Sequence, residues 1–233
     1  MTTQNALITG ASRGLGLALA RALAHKGWQL IIDARGVEAL EEVHDELIQH
    51  TKVIAIPGDV SEKMHRKRLA YAAKELGGLD ALVNNAGILG PSPQPNLIDY
   101  PIDILADVYH INVLAPLGLL QAVQEHFRPH PRIINISSDA GAEAYPGWGG
   151  YGSSKAALEH LSAVLVTEQP DWHIFWVDPG DMRTQMHQEA FPGEDIRDRP
   201  EPEDSVPGLL ALLENPPPSG RYVAKEIIEA TLK

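Results

Sequence analysis

Short apolar runs alternate with longer stretches of helical spacing from the first residues of the chain onward. Residues 5–9, 28–33 (WQLIID), 52–57 (KVIAIP), 79–84 (LDALVN), 132–137 (RIINIS) and 172–177 (WHIFWV) read as strands, with a last one near 220–224. Between them, residues 14–26, 37–49, 61–76, 102–127, 150–168 and 204–214 read as helices, with apolar positions three and four apart. The strands are near-continuous Ile, Val and Leu, as in a sheet covered on both faces. Strands separated by helices of this length close as right-handed βαβ units. The pattern predicts an α/β protein: a doubly wound parallel sheet of about seven strands with helices on both faces.

There is no internal repeat. Pro and Gly cluster at 90–95, 191–204 and 215–220, and none of these clusters parts two halves with cores of their own. Residues 1–233 therefore read as a single domain. The middle cluster follows the C-terminal end of a strand, where α/β sheets bind ligands. Residues 181–204 form a candidate lid, and Asp181, Arg183, Glu194, Asp195, Arg197, Asp198 and Arg199 would close it through ion pairs.

Composition narrows the function classes. The absence of cysteine excludes disulfides, thiolate catalysis and cysteine-ligated metals. A formal net charge of −12 argues against nucleic acid or an anionic membrane as partner. The one dense basic run, KMHRKR at 63–68, reads as a solvated helix face. The N-terminus lacks the pattern of a secretion signal, and the apolar stretch 111–123 is too short to span a bilayer. A cytoplasmic protein is expected. The ten histidines show no metal-ligand grouping; His126 and His130 are four apart, but Pro129 breaks the helix that would align them.

The first βα junction reads LITGASRGLGLALA, with Gly10, Gly14 and Gly16 in a TGxxxGxG spacing. Glycine lets the turn adopt unusual φ and lets backbone N–H groups approach a pyrophosphate at a helix N-terminus. A capped, tightly packed helix would also demand glycine, but the position after the first strand favours dinucleotide binding. The second strand ends in Asp33-Ala34-Arg35. An acid there would hold an adenosine ribose 2′-hydroxyl, and an arginine would pair with a 2′-phosphate; register decides between them. Arg13, inside the glycine loop, supplies a second positive charge. Two guanidiniums favour NADP over NAD, the alternative being Asp33 on the ribose with Arg35 solvated. Further along, Tyr151 and Lys155 stand four apart in GGYGSSKAALEHL and share one helix face. A nearby ammonium favours the phenolate of a tyrosine, whose free pKa is about 10, and suits it to acid–base work.

TGASRGLG, NNAG at 84–87, Asn112, Ser138, the YxxxK pair and the PG of DPGDMRT stand in the order and at the spacings of the short-chain dehydrogenases/reductases. The chain resembles that family, and its glycine loop with Arg13 and Arg35 looks most like the NADPH-dependent reductases. The resemblance implies a Rossmann-like fold and a set of roles. Tyr151 would be the catalytic acid/base. Lys155 would hold the nicotinamide ribose and lower the tyrosine's pKa. Ser138 would hydrogen-bond the substrate oxygen, and Asn112 would anchor a water linking Lys155 to solvent. Gly10, Ser12, Arg13, Gly14, Leu15, Gly16 and Arg35 would bind the phosphates. Asp59 and Val60 would bracket the adenine, and Asn85, Ala86 and Gly87 would line the adenosine ribose side, with Asn84 bracing the sheet. Pro179, Gly180 and Thr184 would face the nicotinamide. Ala34 stands where NAD-preferring members carry Asp.

The implied cofactor is NADP(H), with NAD(H) second, and the implied substrate is a small carbonyl or alcohol compound. Tyr145 and Trp148 would wall the substrate pocket, and Met182, Met186 and Phe191 would line the lid's inner face. A homodimer or homotetramer is implied, with helices 102–127 and 150–168 pairing across a two-fold axis. One rival reading is a 3-oxoacyl-thioester reductase of fatty-acid type, which the acidic charge disfavours because an acyl carrier needs a basic patch. The other is a non-catalytic NADP sensor, which the intact Ser138, Tyr151 and Lys155 oppose.

Overall fold

Seven strands, all parallel, form one sheet in the order β3–β2–β1–β4–β5–β6–β7 in the computed structural model, which describes residues 3–231. They are β1 (Asn5–Ile8), β2 (Gln29–Ala34), β3 (Val53–Pro57), β4 (Leu79–Asn84), β5 (Phe127–Ile136), β6 (His173–Asp178) and β7 (Gly220–Val223). The predicted doubly wound, Rossmann-like sheet is present. Its strand order reverses between β1 and β4, and that switch point opens a crevice at the strands' C-terminal ends.

Successive residues of each strand serve opposite faces. Ile8, Ile32, Val83, Ile134 and Phe175 enter one core, with α1 (Gly14–His25), α2 (Val37–Leu47), α8 (Val206–Glu214) and the start of α9 (Ala224–Thr231). Leu7, Ile31, Leu82, Ile133 and Ile174 enter the other, under α3 (Lys63–Glu75), α5 (Ala115–Val123) and α6 (Gly149–Glu168). Each fully buried Leu or Ile contributes about 1.5–3 kcal/mol of transfer free energy, so both faces are strongly driven.

Several expectations are corrected. The helix predicted at 102–127 runs as α4 (Ile102–Tyr109), a π turn (His110–Leu114), α5 and a closing 3₁₀ turn (Gln124–His126). Pro116 has no N–H for the carbonyl four residues back, that of Asn112, and the helix widens so that the Ala115 N–H reaches the His110 carbonyl. The run Ile102–His126 is 25 residues, long and apolar enough by those measures to cross a bilayer. In this fold its Ala115, Leu119, Leu120 and Val123 are core residues. Strand β5 starts at Phe127 rather than 132: Phe127 pairs with Leu79, and the register then shifts so that Arg132 pairs with Ala81. Residues 128–131, RPHP, fill the irregularity, with His130 at φ +56° because neither proline can donate to the ladder. The short, polar α7 (Gln185–Ala190) and α9 escape the periodicity. His65, in the basic run read as solvated, is buried, because α3 turns it toward the end of β2.

Candidate active site

The glycine loop connects β1 to α1 with Gly10 at φ +65° and Gly14 at φ +56°, conformations that an L side chain resists. A Cβ at Gly16 would lie 2.4 Å from the Gly10 carbonyl oxygen, so Gly16 lets helix and loop touch. It backs the loop, behind the residues that border the cavity. No side chain caps α1 and no acid stands in its first turn. The positive end of its dipole and its leading N–H groups are left for an anion. Asn85 ties the loop to β4 by donating Nδ2 to the Thr9 carbonyl at 2.8 Å, and the Thr9 hydroxyl accepts from the Asn85 and Ala86 amides. Asn84 braces the sheet as expected, donating to Asn135 at 2.7 Å.

A cavity of about 1380 Å³ opens in front of this loop. Gly10, Ser12, Arg13, Gly14 and Leu15 line one end with Arg35, Asp59 and Val60, and Asn85, Ala86 and Gly87 line its floor. Ser138, Tyr151, Lys155, Pro179, Gly180 and Thr184 lie at the other end. All the predicted site residues therefore come together except Gly16 and Asn112. Arg35 is exposed; burial pushes the Asp59 carboxyl up, but hydrogen bonds from Ser61 and then the charge of Arg35 together hold it below its ordinary range. Asp33 is buried, its Oδ1 accepting from the Gly10 N–H at 3.0 Å.

Tyr151 and Lys155 are buried in the first two turns of α6. Burial, and then the charges of Asp178 and Asp139, push the Tyr151 phenol well above its ordinary value, against a lowering by Ser138. Burial pulls Lys155 down to about 8. The expectation that Lys155 lowers the tyrosine is not met here. Its Nζ donates to the Ile136 carbonyl at 2.7 Å, and burial dominates the phenol. Asn112 sits at the π turn with both ends of its amide bonded: Oδ1 accepts from Ile88 N, and Nδ2 donates to Ile88 O and to Ser154 Oγ. Ser138 Oγ donates to Asp139 Oδ1 at 2.8 Å.

Asp139, Glu159 and Arg221 were missed. Arg221 Nη2 donates to the Ser138 carbonyl at 3.2 Å, and its Nε donates to Glu159 Oε1 at 3.1 Å, the same oxygen that accepts from Ser137 Oγ at 2.6 Å. Glu159 follows Lys155 by four residues, a spacing that places both on one helix face; nothing in the sequence pointed to Arg221. The wall beyond Tyr151 is apolar, with Leu89, Tyr145, Trp148, Met182, Met186 and Phe191 lining it. The Trp148 ring lies 5.9 Å from that of Tyr151 and 5.8 Å from that of Phe191.

Within residues 181–204, Asp181–His187, Ala190, Phe191 and Glu201–Glu203 line the cavity. The ion pairs Arg183–Glu201, Arg197–Asp195 and Arg199–Asp198 all lie within this segment. They stiffen the segment rather than fasten it shut, and being exposed they are each worth little. Bonds to the rest of the fold are made elsewhere: Arg13 bonds Gln185, and Ser92 Oγ donates to the Glu189 carbonyl at 2.7 Å, while Ser205 Oγ joins the two ends of the segment by donating to the Pro179 carbonyl at 2.7 Å. Among the described residues no cluster of metal-ligating side chains exists.

Comparison with known proteins agrees with this arrangement. The short chain dehydrogenase family pattern matches residues 4–195. The rhamnolipids biosynthesis 3-oxoacyl-[acyl-carrier-protein] reductase of Pseudomonas aeruginosa is 38% identical over 177 residues, covering 72% of this chain and 68% of that one. A protein of Pseudomonas syringae assigned as a short chain dehydrogenase superposes with a TM-score of 0.89 at 31% identity, over 94% of this chain and 93% of that one. A protein of Shigella flexneri with the same assignment, solved in complex with NADP, gives 0.88 at 27% identity over 97% and 98%. With its sheet, glycine loop and Ser–Tyr–Lys wall, the chain belongs to the short-chain dehydrogenase family of oxidoreductases.

Proposed function

We propose that the protein is an NADPH-linked oxidoreductase that reduces the carbonyl group of a small, partly apolar substrate. The observation that carries this reading is one cavity with Arg13 and Arg35 beside an uncapped helix N-terminus at one end and Ser138, Tyr151 and Lys155 at the other. The donor set fits a phosphorylated dinucleotide: an open helix N-terminus for pyrophosphate and a free guanidinium for a 2′-phosphate. The NADP complex of the Shigella flexneri protein supports the same cofactor. When bound, NADPH supplies the hydride.

The chain's own residues do the rest. Asp59 and Val60 flank the adenine, Asn85, Ala86 and Gly87 the adenosine ribose, and Pro179, Gly180 and Thr184 the nicotinamide. Lys155 holds the nicotinamide ribose. Tyr151 is protonated at neutral pH, and its hydroxyl gives a proton to the substrate oxygen as charge develops there. Ser138 turns its hydroxyl from Asp139 to the same oxygen. Asn112, held in place by the bonds of its amide to Ile88 and Ser154, anchors a water on the proton route through Lys155. Trp148, Met186 and Phe191 exclude water and seat the apolar part of the substrate.

Residues 1–233 act as one domain with 181–204 as its lid, in the cytoplasm. Exposed Leu97, Ile98, Ile102, Ile104, Leu114 and Val164 on and beside α4, α5 and α6 favour a homodimer or homotetramer. A 3-oxoacyl thioester is a second substrate reading, favoured by the Pseudomonas aeruginosa relative and opposed by the net charge of −12. The test is Tyr151→Phe: consumption of NADPH with carbonyl compounds should be lost while the Kd for NADPH stays within about twofold. Retained turnover would remove Tyr151 from the reaction.

A further inference from the structure

The fate of Asp33 is decided by a residue 32 positions away. Its Oδ2 accepts from His65 Nε2 at 2.9 Å, while its Oδ1 accepts from Gly10 N–H. Both side chains are 2% exposed. The other imidazole nitrogen, Nδ1, lies 3.0 Å from Arg68 Nη2, which also donates to the Pro57 carbonyl at 3.1 Å. A guanidinium has no acceptor, so Nδ1 must accept and the ring proton must sit on Nε2, facing Asp33. Both Asp33 oxygens therefore accept within the fold, one from His65 and one from Gly10, while burial pushes the carboxyl above its ordinary range. Gly58 keeps room for this pair: a Cβ there would lie 2.3 Å from His65 Nδ1 and 2.8 Å from Arg68 Nη2.

An acid at the end of the second strand is the group that would accept a ribose 2′-hydroxyl and repel a 2′-phosphate. Here that acid is drawn under the glycine loop, and Arg35, two residues on, is the exposed group at the cavity edge. We infer that His65 is a positioning residue for cofactor choice: by holding the Asp33 carboxylate inside the fold, it leaves Arg35 to meet the adenosine 2′ position and makes the site accept a 2′-phosphate. The inference rests on the cofactor reading above and adds to it the residue that enforces it.

Calorimetric titration of the full chain with NADPH and with NADH tests it, the readout being the ratio of Kd for NADH to Kd for NADPH. In His65→Leu the released carboxylate opposes the 2′-phosphate, and the ratio should fall about tenfold or more. His65→Gln keeps a donor toward Oδ2 and should hold the wild-type ratio. Adding Asp33→Asn to His65→Leu should restore it by removing the charge. A ratio unmoved in His65→Leu, or lowered as far in His65→Gln, overturns the inference, since loss of mere support weakens both nucleotides alike. If His65→Leu does not fold, His65→Asn, whose amide is too short to reach Oδ2, should lower the ratio in the same direction; no change there overturns the inference too. Wild-type protein that binds neither nucleotide, or prefers NADH, overturns the cofactor reading before any substitution is made.

Discussion

Replacing Gly16 by alanine strains fold and site at once. The added Cβ would stand 2.4 Å from the Gly10 carbonyl oxygen and 2.5 Å from Asn85 Nδ2. Relief requires about an ångström of movement in a loop fixed from three sides: by Asp33 at Gly10, by Asn85 at Thr9, and by α1 packed on the sheet. Overpacking of this kind costs about 1–3 kcal/mol. Losing the Asn85 bonds to the loop adds about 1 kcal/mol. In a domain of this size each kcal/mol lowers Tm by about 2–4 °C, so Gly16→Ala should melt about 5–15 °C below wild type. It should also bind NADPH at least about tenfold more weakly, because the loop that receives the phosphates has moved. Gly27→Ala is the control. Gly27 has φ +79° and nothing within 4 Å of the added carbon, so only backbone strain of about 1 kcal/mol is expected, with cofactor affinity unchanged. Thermal melts and NADPH titrations of both variants decide the matter. If Gly16→Ala melts within 2 °C of Gly27→Ala, or binds NADPH as wild type does, the reasoning about close approach is wrong.

Other outcomes follow from the same geometry. Arg35→Ala should weaken NADPH binding about tenfold or more and leave NADH binding nearly unchanged; equal losses in titration would show that Arg35 does not meet a 2′-phosphate. Lys155 titrates at about 8 in the fold and near 10.5 unfolded, so between those values only the unfolded chain holds the proton. Urea stability should therefore rise from pH 8 toward 10, a rise absent in Lys155→Met. Above pH 10 the raised Tyr151 reverses the sign, because the native state then holds the extra proton. Asp139→Ala removes a charge that raises Tyr151 and frees the Ser138 hydroxyl. The pH at which alcohol oxidation reaches half its maximum should move down in this variant, and an unmoved profile would exclude Asp139 from the phenol's environment.

Whatever depends on neighbours along the chain could be read from the residues alone. Alternation of apolar runs with helical spacing is local, and it specified the parallel, doubly wound sheet and the place of the glycine loop. Four-residue spacing is also local, and it put Tyr151 and Lys155 on one face of α6. Matters that turn on distant partners could not be read that way and were set by how the chain packs. Asp33 and Arg35 are equal candidates for the adenosine 2′ position in the sequence, and it is α3, bringing His65 against the end of β2, that buries Asp33 while Arg35 stays exposed. Arg221 reaches Glu159 across 62 residues and the Ser138 carbonyl across 83, because β7 happens to border β6. The direction of the Tyr151 shift belongs here as well: spacing puts an ammonium nearby, but desolvation depends on everything packed around the phenol. Burial and charge are sums over space, and no window of sequence contains them.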